Sequence, residues 1–277
     1  MATTPSCPRL QELLTLLELE RIEQNLFRAY HPQGRTGRLY GGQIMAQAMK
    51  AAMCTVPAER LPHSLHGYFL RPGDPAVPAL IDVERLRDGR SFTTRRVVVI
   101  QHGQAIFNMD ASFQLAEPGL DHQAEMPPLR PPPEAKVPEA LRESPFTEWR
   151  QEHKALQLEK PHAPVQHVWF RASAPVPDDA ALHLCLLVYE SDNALLSTGR
   201  LPHRGSFVRS RLQMASLDHA MWFHQPPLEA WRADQWLLYA LDSPSSSAAR
   251  GYNRGMIFTE SGLLVASTMQ EGLMRYR

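Results

Sequence analysis

The sequence has few cysteines, no excess of either charge and no long apolar run. Its three cysteines, Cys7, Cys54 and Cys185, are widely separated, and no CxxC or Cys/His spacing predicts a zinc site or an even disulfide framework. Twenty-nine basic residues balance twenty-nine acidic ones among 277, so charge gives no reason to expect a nucleic-acid or membrane partner. The longest apolar runs, at 184–189 and 236–241, are too short to span a bilayer.

Targeting signals are missing as well. The N-terminal residues lack a basic stretch followed by an apolar one, and the last six residues, GLMRYR, hold no Ser-Lys-Leu address for peroxisomes. Together with the odd number of cysteines, these absences predict a cytoplasmic protein.

Several catalytic motifs are also absent. The sequence contains no GxSxG nucleophile elbow, no HExxH, no GxxxxGK[ST] loop and no GxGxxG. We therefore expect neither a metal nor an organic cofactor. The chemistry must come from polar residues dispersed along the chain.

Proline divides the chain into two parts. Ten of the 24 prolines lie between Pro118 and Pro164. Because proline cannot donate to a sheet or continue a helix, this stretch predicts a linker with at most a short helix near 139–156. The expected organisation is an N-terminal domain at 1–116, a linker at 117–164 and a C-terminal domain at 165–277.

The two parts repeat one pattern. A shift of 159 residues places Arg95 on Arg254 and Gly103 on Gly262, and each segment reads as a strand, a glycine turn and a second strand. A strongly apolar helix precedes the strands in each half, at 41–53 and at 179–197. The N-terminal stretch adds a short amphipathic helix and a strand at 19–28. The predicted fold is α+β, with an antiparallel sheet wrapped around a buried helix, twice over.

Asp192 is the first candidate for chemistry. It lies in or at the end of the second apolar helix, close to apolar neighbours such as Val188 and Leu195. Such surroundings remove water from a carboxylate, which is the environment of many general bases. The alternative is that Asp192 caps a new helix that begins at Ala194.

Ser216 and Gln270 are the other candidates. Both lie in predicted strands, where alternation places Ser216 on one face with Asp218 and Trp222. Gln270 shares a face with Thr268. Taken alone, each is better explained as a polar side chain that is satisfied by its neighbours.

Four strings occur in order along the chain: GGQ at 41–43, FLRPGD at 69–74, LDHAMWFH at 217–224 and ASTMQEG at 266–272. They resemble the type II acyl-CoA thioesterases over nearly the whole length. The resemblance implies a double hotdog fold and hydrolysis of fatty acyl-CoA, with homo-oligomers by analogy. It also implies a catalytic set of Asp, Ser or Thr, and Gln, which falls on Asp192, Ser216 and Gln270.

Two other functions are compatible with the same fold. A hotdog hydratase or dehydratase would use an acidic residue with a histidine, for which Asp218 and His219 are the candidates. A non-catalytic acyl-CoA-binding protein would need no water-orienting residues.

For a thioesterase, the backbone N–H groups at Gly41-Gly42 are candidate oxyanion donors. The candidate ligands for the CoA phosphates are arginines of the predicted hairpins, which are otherwise explained as solvated strand faces: Arg85, Arg87, Arg90, Arg95, Arg96, Arg250 and Arg254.

Overall fold

A computed structural model of the chain describes residues 7–32, 34, 36–134, 137–150 and 160–277. The N-terminal repeat contains, in order, α1 (Pro8–Leu16), β1 (Glu20–Glu23), β2 (Leu26–Ala29), α2 (Gly41–Met53), β3 (Arg60–Phe69), β4 (Ala79–Asp88), β5 (Phe92–Gln101) and β6 (Gln104–Leu115). A 3-10 turn (Glu139–Arg142) and β7 (Phe146–Arg150) follow.

The C-terminal repeat shares the central order of a strand, a long helix and four antiparallel strands. It contains β8 (Val165–Ala172), α3 (Ala180–Ser191), the four-residue α4 (Leu195–Thr198), β9 (Leu212–Ser216), β10 (Asp218–Phe223), β11 (Leu237–Ser247), β12 (Arg250–Thr259) and β13 (Leu264–Tyr276). Two further 3-10 turns lie at Leu201–His203 and Arg209–Arg211. No helix among the described residues is long and apolar enough to cross a membrane.

One antiparallel sheet joins the two repeats. Its strand order is β1-β2-β4-β5-β6-β3-β10-β13-β12-β11-β8-β7, with β9 paired to the end of β13. The repeats meet at β3 and β10, where Tyr68 lies opposite Asp218 and Ser64 opposite Trp222. The two hairpin turns predicted from the repeat are present between the paired strands. Gly103 and Gly262 lie in these turns with left-handed φ values of 71° and 91°, which glycine adopts readily. The predicted α+β architecture is confirmed.

The two long helices pack against each other inside this sheet. In α2 the side chains of Met45 and Met49 are fully buried, as the predicted apolar stripe requires, and α3 is buried along most of its length. The helices run antiparallel, so the first turn of α2 meets the end of α3. This meeting point lies close to where β9, β10 and β13 join.

Three predicted elements differ from the structure. The second apolar helix ends at Ser191 rather than 197, because Ala194 adopts a left-handed φ of 64° that an α-helix cannot include. The strand predicted at 19–28 is a hairpin of β1 and β2. Where a short helix is predicted near 139–156, the described residues form the 3-10 turn at Glu139–Arg142 and strand β7, which pairs with β8, while 151–159 lie outside the described residues.

Candidate active site

Asp192 lies where the two helices meet. It is the C-terminal cap of α3, and its Oδ2 accepts a hydrogen bond of 3.0 Å from the backbone N–H of Gly42 in the first turn of α2. Helix α2 has no side chain of its own to cap it, because Tyr40 stands at that position. The capping alternative is wrong, because the helix that follows has Ala194 as its N-cap and no side-chain cap. Asp192 contacts the N-terminus of a helix, but that helix belongs to the other repeat.

Glycine is required at this crossing. A Cβ on Gly42 would lie 2.1 Å from the carbonyl oxygen of Tyr189, and a Cβ on Gly41 would lie 2.7 Å from Asp192 Oδ2. Both distances are far inside van der Waals contact. Only the GG pair lets α2 approach α3 closely enough for the Gly42 N–H to reach the carboxylate.

Ser216 and Gln270 approach the other carboxylate oxygen. The Ser216 hydroxyl donates to Asp192 Oδ1 at 3.2 Å, and the Gln270 amide Nε2 donates to the same oxygen at 2.5 Å. Gln270 is almost fully buried, on the inner face of β13 with Thr268, as predicted. The structure thus brings all three predicted site residues together.

The predicted face of Ser216 is wrong. Ser216 pairs with Gly272 of β13, and Ala220 pairs with Met269. The chain advances four residues from Ser216 to Ala220 but only three along β13, so β9 and β10 are joined by a bulge at Leu217. The bulge reverses the alternation. Ser216 faces inward, whereas Asp218 faces outward and accepts a hydrogen bond of 2.6 Å from the backbone N–H of Glu271.

His219 lies directly behind the three residues and was considered from sequence only as a partner of Asp218. It is 1% exposed, and its ring contacts Gln270 Nε2 at 3.2 Å and Ser191 Oγ at 3.1 Å. Burial lowers the pKa of His219 to about 4, against the effect of the nearby Asp192 charge. Without the bulge, no sequence pattern would place this histidine on the face of Ser216.

A second acidic side chain, Glu190, is buried nearby. The Asn193 amide Nδ2 donates to Glu190 Oε1 at 2.8 Å and to Glu148 Oε1 at 2.7 Å. Burial, and then the Glu148 charge, raise the pKa of Glu190 well above its usual value, and Arg150 acts in the opposite direction. Glu190 does not line the cavity beside Asp192.

A cavity of about 540 Å³ opens beside Asp192 and Ser216. Its apolar lining includes Ile44, Phe69, Leu196 and Met214, together with the backbone of Gly41. Two exposed arginines, Arg38 and Arg71, also line it, and sequence analysis overlooked both. Among the described residues, no group of His, Cys, Asp or Glu side chains is arranged to hold a metal ion.

The hairpin arginines are engaged elsewhere. Arg95 is 1% exposed and bonds to Thr55 and Asp88. Three others form exposed ion pairs on the sheet: Arg96 with Asp110, Arg250 with Glu271 and Arg254 with Asp242. None of the seven is among the described residues that line the cavity.

Sequence comparison gives matches in both halves. The family pattern described as "Acyl-CoA thioesterase" matches residues 141–273, and the one described as "Acyl-CoA thioesterase N-terminal domain" matches residues 30–114. The chain is 36% identical to "Acyl-CoA thioesterase 2" of Haemophilus influenzae, over 96% of this chain and 98% of that one.

Solved structures give the same result. The "Acyl-CoA thioesterase II TesB2" of Mycobacterium marinum is 43% identical, with a TM-score of 0.83 over 96% of this chain and 98% of that one. A protein "with Hot dog Fold" from Alicyclobacillus acidocaldarius has a TM-score of 0.77 at 20% identity, over 96% of this chain and 98% of that one. The fold and these matches therefore define a double hotdog enzyme of the thioester-hydrolase class. The chain belongs to the acyl-CoA thioesterase family.

Proposed function

We propose that this protein hydrolyses fatty acyl-CoA to a free fatty acid and CoA, with Asp192 as the general base. The observation that carries the proposal is the convergence of Ser216 and Gln270 on Asp192 Oδ1 at the wall of a largely apolar cavity. A carboxylate held in one orientation can take a proton from a water molecule at a defined position.

The reaction needs no covalent enzyme intermediate. Water attacks the thioester carbonyl carbon while Asp192 takes one of its protons. The tetrahedral intermediate then breaks its C–S bond, and the thiolate leaves and receives the proton. Ser216 and Gln270 hold the water and the carboxylate in line, which is the role of a positioning group.

The N-terminus of α2 supports the choice of oxyanion donor. The first N–H groups of a helix have no acceptor within the helix, and their partial positive charge stabilises an anion. The Gly42 N–H is already bonded to Asp192, whereas Gly41 lines the cavity. Of the two glycines suggested by the sequence, Gly41 is the better candidate for the developing oxyanion.

Arg38 and Arg71 suit the phosphate groups of CoA. Both are exposed and line the same cavity as Asp192. Arg71 Nη1 donates to the Ala105 carbonyl at 2.7 Å, which fixes the side chain while its other N–H groups remain for a ligand. The apolar lining would hold the pantetheine arm and acyl chain.

The hydratase alternative is less well supported. Asp218 faces outward and His219 inward, so the two side chains do not form an acid–histidine pair. The sequence matches argue against a non-catalytic acyl-CoA-binding protein, because the relatives are named thioesterases.

A thiol-release assay tests the proposal. Purified protein is given acyl-CoA of several chain lengths, and free thiol is followed with a disulfide dye. We expect multiple turnovers, while a hydratase or a binding protein would release no thiol.

An acyl-pantetheine thioester, which lacks the nucleotide, tests whether the arginines bind the CoA phosphates. Arg38→Met and Arg71→Met should raise KM for acyl-CoA but not for acyl-pantetheine, and Arg130→Met, an exposed residue away from the cavity, should change neither.

A further inference from the structure

A chain of hydrogen bonds behind the site connects Gln270 to the end of α3. Gln270 Nε2 contacts His219 Nδ1 at 3.2 Å, and His219 Nε2 contacts Ser191 Oγ at 3.1 Å. Ser191 Oγ lies 2.8 Å from the carbonyl oxygen of Val188. Ser191 directly precedes Asp192, so His219 connects two of the three site residues from behind.

The donors in this chain are fixed by chemistry. A carbonyl can only accept, so the Ser191 hydroxyl donates its single hydrogen to Val188. Ser191 Oγ must then accept from His219, which places the ring hydrogen on Nε2. In a neutral ring the other nitrogen, Nδ1, is then an acceptor, and it receives an N–H of Gln270.

This arrangement determines how the Gln270 amide is turned. Its Nε2 lies within hydrogen-bond distance of three acceptors, Asp192 Oδ1 at 2.5 Å, Ser216 Oγ at 3.2 Å and His219 Nδ1 at 3.2 Å. Its Oε1 is buried and has no hydrogen-bond partner among the described residues. An unpaired buried acceptor is unfavourable, so Oε1 is the atom left to accept a hydrogen from a water molecule.

We propose that His219 is a positioning residue for hydrolysis. As the neutral Nε2–H tautomer it fixes the Gln270 amide so that Nε2 faces Asp192 Oδ1 and holds the carboxylate of the base in one orientation. The inference rests on the proposed function. Burial supports it, since the low pKa of His219, about 4, keeps the ring neutral near pH 7.

The surrounding residues hold Ser191, the hydrogen-bond partner of His219 Nε2, in place. Tyr239 donates its phenol hydrogen to the carbonyl of Ser191 at 2.8 Å and contacts Thr268 Oγ1 at 2.7 Å. The carbonyl and the hydroxyl of Ser191 are therefore both hydrogen-bonded.

Substitutions at His219 distinguish positioning from packing. His219→Leu removes the acceptor, and we expect kcat to fall by about 10²-fold with KM changed less than about twofold. His219→Asn places an amide oxygen near the position of Nδ1, so kcat should recover to within about tenfold of wild type. His224→Leu, at an exposed histidine just beyond the same strand, is the matched control and should retain wild-type kcat.

A spectroscopic measurement does not depend on the variants folding. The ¹⁵N shifts of His219 in the wild-type protein should show a protonated Nε2 and an unprotonated Nδ1 at pH 7, and Gln270→Ala should shift Nδ1. A protonated Nδ1, or a His219→Leu enzyme with wild-type kcat, would overturn the proposal. If the wild-type protein releases no thiol from any acyl-CoA, the proposed function fails, while the tautomer measurement still tests the contact between His219 and Gln270.

Discussion

Asp192 accepts hydrogen bonds from side chains on two strands and from the backbone at one helix N-terminus. The Gly42 N–H reaches Oδ2, and Ser216 and Gln270 reach Oδ1. An ionised carboxylate has only acceptor sites, so a shell made wholly of donors matches it. The same shell orients the carboxylate toward the cavity, and we infer that this orientation, rather than the apolar surroundings expected from sequence, prepares Asp192 as a base.

Buried histidines give the protein a stability that depends on pH. Burial lowers the pKa of His31 and of His219 to about 4, in spite of the nearby charges of Asp74 and Asp192. The unfolded chain binds more protons between pH 6.5 and 4, so the free energy of unfolding should fall as pH falls through this window. The loss at pH 4 should be at most about 3 kcal/mol for each histidine.

Denaturant unfolding from pH 7 to pH 4.5 measures this effect. Glu190, whose pKa is raised, acts in the opposite direction, so the slope of the wild-type protein is compared with that of variants. His31→Gln should flatten the dependence, and His122→Gln, at an exposed position, should leave it unchanged. Identical slopes for wild type and His31→Gln would contradict the prediction.

The site residues could be predicted from sequence only through motifs. Asp192, Ser216 and Gln270 lie in three separate elements, and neither spacing nor alternation brings them together. The alternation rule grouped Ser216 with Asp218, which faces outward, because the bulge at Leu217 leaves no recognisable trace in composition. For the same reason the sequence could not place His219 behind Gln270.

At the scale of elements, the site depends on how closely α2 and α3 cross. A Cβ on Gly42 would lie 2.1 Å from a backbone oxygen, which cannot move without shifting α3. Gly42→Ala should therefore separate the helices, with a loss of about 1–3 kcal/mol in the free energy of unfolding and a large loss of kcat.

The control is Gly119→Ala, where a Cβ would meet nothing within 4 Å. It should match wild type in both stability and activity. If Gly42→Ala kept wild-type kcat, the contact between the α2 N-terminus and Asp192 would have no role in the reaction.

The elements themselves were mostly predictable. Alternation and glycine turns predicted the β5–β6 and β12–β13 hairpins, and the four-residue spacing of apolar side chains predicted α2. The end of α3 was not predictable, since it depends on a left-handed φ at Ala194, a residue that normally favours helices. Strand β7 was missed because the proline-rich composition around it argues against a sheet.

At the scale of the whole molecule, the candidate base and water-holding residues all belong to the second of the two repeats. The N-terminus of α3 is capped by its own Asp179, whose Oδ1 accepts from the Ala181 N–H at 2.8 Å. The residue that ends α2 is Cys54, so no carboxylate stands where Asp192 stands in the other repeat. The shift of 159 also places Ala111 at the position of Gln270, and a shift of 154, which aligns the preceding strands β3 and β10, places Pro62 at the position of Ser216.

We expect one active site per chain. Titration with a slow, tight substrate analogue should give one equivalent, because the first repeat has neither the base nor the water-holding groups. Two equivalents per chain, or substantial activity in an Asp192→Asn/Gln270→Ala double variant, would contradict this expectation.

The outer face of the sheet supports the proposal that the chain forms homo-oligomers. Tyr68 and Met269, 59% and 39% exposed, line a depression of about 240 Å³ together with Ala220 and Tyr252. Light scattering should give a mass of two or more times the 31.3 kDa of one chain. Met269→Glu should lower that mass, whereas Leu120→Glu, an exposed residue outside this face, should not. A wild-type monomer at high protein concentration would refute the proposal.

The most direct test of the account is the turnover of Asp192→Asn, which keeps the shape of the side chain but cannot accept a proton. We predict that its kcat in thiol release from fatty acyl-CoA falls by at least about 10³-fold with the fold intact by circular dichroism. Ser216→Ala and Gln270→Ala, which lose only positioning groups, should fall by about 10²-fold. A folded Asp192→Asn enzyme with near-wild-type kcat would remove Asp192 from the mechanism and contradict the account.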